Sequence, residues 1–254
     1  MRLMARRSKL SPMVTRVDVS CLPADAGERE ADCFIVVDLF RATTTIATLF
    51  AVGLERLTVA STIQMAREIA ERQNALLLGE EGGIPPEGFD HGNSPVEAAT
   101  LSLEGRPVVL STTNGTGAIC SVASRGAVLS GALANLTAVA AAAAQFETVS
   151  IVCAGNAYGE AFSLEDLGGA GAVVGSLVEH SPGVAVGDTA RLAELAWLKG
   201  GTALLAGSEH ADLVRELGLG ADIEYALRSD TSEAAPTVTD WGDGWAELRE
   251  VTGV

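Results

Sequence analysis

The 254 residues carry 33 acidic against 17 basic side chains, a formal net charge of −16. A nucleic-acid backbone requires clustered Lys and Arg, so this balance argues against nucleic acid as a partner. An anionic small molecule would need a local positive site made by a metal ion, an arginine or helix N-termini.

Residues 1–12 are basic and lack the apolar stretch of a signal peptide, so they read as a flexible extension, with Met13 a candidate start. Residues 13–254 then form one large α/β domain or two closely packed lobes. From about residue 14, short β-branched runs alternate with Ala-rich segments, the pattern of a mainly parallel or mixed sheet flanked by helices in three layers. Strands are predicted at Arg16–Ser20, Phe34–Asp38, Arg56–Ala60, Ala75–Leu78, Val108–Leu110, Ala127–Ser130 and Thr148–Cys153. Helices are predicted at Thr44–Val52, Ile63–Arg72, Pro95–Leu101, Gly117–Ser124, Leu136–Gln145, Leu164–Glu179 and Thr189–Trp197. From Ser208 onward the chain reads as helical pairs ending in an edge element at Pro236–Val238, and as a cap or an oligomer surface that leaves a homodimer open. Ala138–Ala144 is too short to span a bilayer, so no membrane partner is expected. Cys21, Cys33, Cys120 and Cys153 form no CxxC pair and point to a reducing, cytoplasmic setting.

In a parallel sheet the ligand site lies beyond the carboxyl ends of the strands. There Asp38 leads into Arg41–Thr45, Gly79 into Glu80, Ser111 into Thr112–Thr116, and Cys153 into Ala154–Asn156. Thr43 or Thr44, Asn93 or Ser94, and Thr116 are candidate helix caps, and Ser163–Asp166 fits a capping box with Asp in place of Glu. Converging helix N-termini would bind a dianion without basic residues. A cap uses one hydroxyl or amide, whereas Thr112, Thr113, Asn114 and Thr116 offer four around Gly115.

Asp38 closes an apolar strand, where a lone acid is costly unless it pairs with Arg41 or meets a cation. Glu80 and Asp90 flank the Gly- and Pro-rich loop 82–88, so Asp38, Glu80 and Asp90 make a ligand pool suited to Mg²⁺. His91, His180 and His210 form no metal-binding pair and read as surface or structural residues. Cys153 reads as a buried thiol beside the site, because Gly159 stands where a cysteine phosphatase needs an arginine. Phe40 replaces the second aspartate of a DxDxT motif, and no GxxxxGK[ST] run is present.

As an ordered set, Val37–Thr44, Gly88–Pro95, Thr112–Thr116, Cys153–Gly155 and Ser163–Asp166 resemble the 2-phosphosulfolactate phosphatase family, the ComB-like phosphatases, across roughly residues 14–240. Ala221–Glu224 resembles the family's carboxyl-terminal segment. The resemblance implies a ComB-like α/β fold, Mg²⁺ dependence and hydrolysis of 2-phospho-3-sulfolactate to sulfolactate and phosphate, a step towards coenzyme M. Glu81 stands where the family often carries arginine, and His91 where it carries an apolar or aromatic residue, so a related 2-phospho-hydroxy acid is an alternative substrate.

On this reading Asp38 is the nucleophile, or else a metal ligand while water attacks, and Arg41 holds the substrate carboxylate or phosphate. Thr43, Asn93, Ser94, Thr112, Thr113, Asn114, Gly115, Thr116 and Cys153 contact the phosphate ester, and Asp38, Glu80 and Asp90 hold Mg²⁺. The rival reading is a non-catalytic binder of a phosphorylated or sulfonated small acid, which the carboxylates would weaken unless a metal neutralised them.

Overall fold

The computed structural model describes residues 14–250 apart from Glu28 and Glu104, and the extension expected for residues 1–12 lies outside the described residues. The chain begins β1 (Arg16–Ser20), α1 (Pro23–Ala26), β2 (Cys33–Val37), α2 (Ala42–Ala51), β3 (Leu57–Ala60), α3 (Ile63–Gln73) and β4 (Leu76–Gly79). It continues through α4 (Pro95–Ala98), β5 (Val108–Ser111), α5 (Gly115–Val122), β6 (Ala127–Gly131), a 3₁₀ turn at Leu133–Asn135, α6 (Leu136–Ala143) and β7 (Thr148–Cys153). The remainder is α7 (Leu164–His180), β8 (Ala185–Val186), α8 (Asp188–Ala206), α9 (Glu209–Glu216), α10 (Gly220–Ala226), β9 (Pro236–Gly242) and β10 (Trp245–Glu250).

Every side chain of β2 is buried, as a strand with helices on both faces requires. Ile35 and Val37 pack with Val174 and Leu177 of α7 on one face; Phe34 and Val36 pack with Ile46 and Leu49 of α2 and Ile119 of α5 on the other. A smaller cluster sets Ala66 and Ile69 of α3 against Leu77 and Val109. The three-layer α/β expectation is met.

The described strands form one mixed sheet in the order β4-β5-β3-β10-β9-β6-β2-β7-β1-β8. The blocks β4-β5-β3 and β6-β2-β7-β1-β8 are parallel throughout. Between them lies the antiparallel β9–β10 hairpin, with β10 on β3 and β9 meeting β6 at Leu129–Thr237. The predicted edge element at Pro236–Val238 is therefore the start of an interior strand. Pro236 is compatible with that place because it is the first residue of β9, where no ladder donor is lost within the strand.

Other elements differ from expectation in extent or were not expected at all. The helix expected at Thr189–Trp197 runs instead from Asp188 to Ala206, with Gly201 taking φ 54° at a kink. The short elements α1 and β8 carry too few residues for any periodicity to show. Among the described residues, no helix is long and apolar enough to cross a membrane.

Candidate active site

The carboxyl ends of the strands and α9 enclose a cavity of about 730 Å³, lined by Asp38, Arg41, Glu80, Asn93, Thr113 and Asn114 together with Phe162, His210, Leu213 and Leu217. Asp38 is the first residue after β2, in a turn that two threonines fix. The Thr43 hydroxyl donates to the Asp38 carbonyl (2.8 Å) and accepts from its N–H (3.1 Å), and Thr44 donates to the Leu39 carbonyl (2.9 Å). The Asp38 carboxylate then sits at the start of α2, with Oδ1 accepting the Ala42 N–H at 3.2 Å. Among the described residues, no hydrogen bond engages Oδ2. It packs against Gly115, where an added Cβ would lie 2.6 Å from Oδ2 and 2.6 Å from the Ala42 Cβ.

Glu80 follows β4 and ties two loops together. Oε1 accepts the Thr113 N–H (2.7 Å), while Oε2 accepts the Thr113 hydroxyl (2.9 Å) and the Gly83 N–H (2.7 Å). Arg41 is buried and fully anchored. One guanidinium nitrogen donates to Asp222 of α10 and the other to the Gly83 carbonyl, each at 2.8 Å. Asp222 in turn accepts from the Ser94 hydroxyl (2.6 Å), whose oxygen caps α4 by accepting the Glu97 N–H.

His210, which lines the same cavity as Asp38, is not the unpaired surface or structural histidine expected from the spacing. His210 Nδ1 lies 2.7 Å from Oε1 of Glu165, a residue of the first turn of α7 that is only 1% exposed. Burial favours the neutral form of both groups, yet their hydrogen bond and opposite charges outweigh it, holding Glu165 below and His210 above the ordinary values. Asp38 goes the other way. Burial pushes it up from 3.8 to about 6, with Glu80 and Glu165 adding to the rise and His210 and the Ala42 N–H opposing it. Asp166 is driven well above the carboxylate range by burial and then by Asp38 and Glu165.

The predicted residues divide into two groups. Asp38, Arg41, Glu80, Asn93, Thr113 and Asn114 share the cavity; Thr43, Ser94, Thr112, Gly115, Thr116, Cys153 and Asp90 do not line it. Thr43 and Ser94 are committed to the turns just described. Thr112 and Thr116 bond to each other, each hydroxyl accepting the other's N–H at 3.2 and 3.0 Å. Thr116 therefore lies inside α5 rather than capping it. Cys153 is fully buried, and burial followed by Asp166 drives its thiol well above 9.0. Ser163 caps α7 by accepting the Asp166 N–H, but Asp166 does not close a capping box. Its carboxylate accepts instead from Leu39 N–H (2.9 Å) and Gly155 N–H (3.0 Å). Asn93 is 3% exposed, and its Oδ1 has no partner among the described residues.

Asp90 is apart from the other two acids. Its Oδ2 accepts the Leu77 N–H at 2.8 Å, and it lines an adjoining cleft of about 210 Å³ with His91 and Glu97, which shares Arg41, Gly83 and Asn93 with the main cavity. Among the described residues, no group of three or more His, Cys, Asp or Glu is placed to hold a metal ion. Two hard carboxylates in one cavity, Asp38 and Glu80, nonetheless fit Mg²⁺, which takes one or two carboxylates and completes its shell with water and phosphate oxygens.

The family model for 2-phosphosulpholactate phosphatase matches residues 22–240. A probable 2-phosphosulfolactate phosphatase of Deinococcus radiodurans is 39% identical over 220 residues, covering 84% of this chain and 90% of that protein. Proteins of the same name from Carboxydothermus hydrogenoformans (34%, covering 87% and 92%) and Gloeobacter violaceus (36%, covering 89% and 97%) are similar over comparable spans. Fold, motif order and these matches agree: the chain belongs to the 2-phosphosulfolactate phosphatase family of phosphoric monoester hydrolases.

Proposed function

We propose that the protein hydrolyses 2-phospho-3-sulfolactate, or a related 2-phospho-hydroxy acid, to the 2-hydroxy acid and phosphate. The observation that carries this reading is Asp38, a buried carboxylate at a strand end that lines a cavity, with one oxygen fixed by Ala42 and the other unengaged among the described residues. On this reading that oxygen attacks phosphorus, giving an aspartyl phosphate that water hydrolyses. Mg²⁺ bound by Asp38 and Glu80 would neutralise the phosphoryl oxygens.

The chain's own groups do the positioning. Arg41 supplies fixed positive charge while its bonds to Asp222 and Gly83 stop it from moving. Thr113 and Asn114, at the entry to α5, face the cavity where the phosphate would sit, and the unpartnered Asn93 Oδ1 offers an acceptor to the substrate. Phe162, Leu213 and Leu217 at the rim exclude water once the site is filled.

The test is phosphate release from a panel of 2-phospho-hydroxy acids, including 2-phospho-3-sulfolactate, with Mg²⁺ and with EDTA. Turnover that EDTA abolishes and Mg²⁺ restores supports the reading. Binding without turnover would identify a carrier instead, and full turnover in EDTA would remove the metal.

A further inference from the structure

We propose that His210 is the acid that protonates the departing ester oxygen, and that Glu165 is a positioning residue acting only through it. The assignment rests on the phosphatase reading above. An ionised carboxylate can only accept, so the 2.7 Å contact with Glu165 places a proton on Nδ1 of His210 and leaves Nε2 as the working nitrogen. The ring lines the cavity that also contains Asp38. Glu165 is almost wholly buried in the first turn of α7, a costly place for a carboxylate unless it is paired. Its Oε1 is spent on orienting a ring 45 residues away that opens into the reaction space.

The chemistry requires such a group. A 2-hydroxy acid leaves as an alkoxide, which is far too basic to depart at neutral pH without a proton. Of the other acids lining the cavity, Glu80 has both oxygens bound to loops, Asp38 attacks, and Glu209 and Glu216 of α9 are exposed to solvent. As Asp38 Oδ2 bonds to phosphorus, the P–O ester bond breaks and its electron pair goes to the ester oxygen, which takes the Nε2 proton. The 2-hydroxy acid leaves with neutral His210 behind it. Water then attacks the aspartyl phosphate and keeps its protons on the phosphate that leaves, the bond between phosphorus and Asp38 Oδ2 breaks to restore the carboxylate, and His210 regains its proton from solvent. The charged groups that face the ring are Glu165 from α7, Asp38 from the turn after β2 and Arg41 beside α2; the two acids favour the protonated ring and Arg41 opposes it.

The decisive comparison is between leaving groups. Wild type, His210→Gln and Glu165→Gln are assayed with an alkyl ester, phospholactate, and with p-nitrophenyl phosphate, whose leaving group needs no proton. His210→Gln is expected to lose about 10²–10⁴-fold in kcat on the alkyl ester and less than about 10-fold on the aryl ester. A role in folding alone would lower both alike, so equal losses overturn the assignment, as does no loss on the alkyl ester. The pH profile gives a second readout on the alkyl ester alone. Wild-type kcat should fall as pH rises through the imidazole pKa, Glu165→Gln should move that limb to lower pH, and His210→Gln should lack it; a limb retained in His210→Gln overturns the proposal. A wild type that releases phosphate from neither ester nor from 2-phospho-3-sulfolactate would overturn the phosphatase reading itself, an outcome distinct from both.

Discussion

Arg41 and Asp222, 181 residues apart in the chain, meet at 2.8 Å with their side chains 4% and 3% exposed. The pair joins the helix after β2 to α10, and through Ser94 it reaches α4. Removing one partner of a buried pair leaves an uncompensated charge, so Asp222→Ala is expected to destabilise the fold by about 3–5 kcal/mol. Urea unfolding measures this. Because Arg41 also holds the Gly83 carbonyl over the cavity, KM should rise in the same variant; unchanged KM and stability would show the pair to be idle.

Asp38→Asn keeps the side-chain shape and the Oδ1 acceptor for Ala42 but removes the nucleophile. Phosphate release should fall by about 10⁴-fold or more, with substrate affinity by calorimetry better preserved. Raising Mg²⁺ should not recover the rate. Recovery at high Mg²⁺ would make Asp38 a ligand only, because a weakened metal site refills by mass action and a missing nucleophile does not.

The same substitution should stabilise the metal-free protein. An acid raised from 3.8 to about 6 binds more protons folded than unfolded between those values, so its contribution to stability is greatest below the unfolded value and declines as pH rises through the folded one. At about 1.4 kcal/mol per pH unit, the full effect is roughly 3 kcal/mol above pH ~6. In EDTA, the stability of Asp38→Asn relative to wild type should therefore grow from near zero at pH ~4 to about 3 kcal/mol at pH ~8. A difference that stays flat across that range would contradict the burial argument.

Gly115→Ala places a methyl group 2.6 Å from both Asp38 Oδ2 and the Ala42 Cβ, so the Asp38 carboxylate must move. A displacement of about 1 Å at a reacting atom costs on the order of 10²-fold. We expect a loss of kcat of that size with little change in KM; near-native kcat would mean that the Asp38 side chain has room to shift without consequence.

Much of this architecture was legible because its signals are local. The β-branched runs at Val17–Ser20, Phe34–Val37 and Thr148–Cys153, and the polar segments that follow them, lie within a few residues of one another. The hairpin carried a local signal too, since Trp241-Gly242-Asp243-Gly244-Trp245 between alternating runs is a turn signature, but nothing local told an interior place from an edge. Paired histidine spacing was the wrong filter for His210, whose partner Glu165 lies on another helix and emerges only when α7 and α9 pack. Thr43, Thr112 and Thr116 show the converse. They are the residue types a phosphate site uses, yet their hydroxyls are consumed by the turns that present Asp38 and Thr113.

The β9–β10 hairpin also has a history in time. On the ribosome, β3 and β6 are made well before Pro236 emerges, so each block has an open edge with no partner strand during synthesis. From Gly131 to Pro236 is ~105 residues (236 − 131), and at about 5–20 residues per second this leaves the nascent chain exposed for roughly 5–20 s. Two parallel blocks with facing, unsatisfied edges are templates for pairing between neighbouring chains on one message. A risk of aggregation thus falls in those seconds, before the strand that closes the sheet exists.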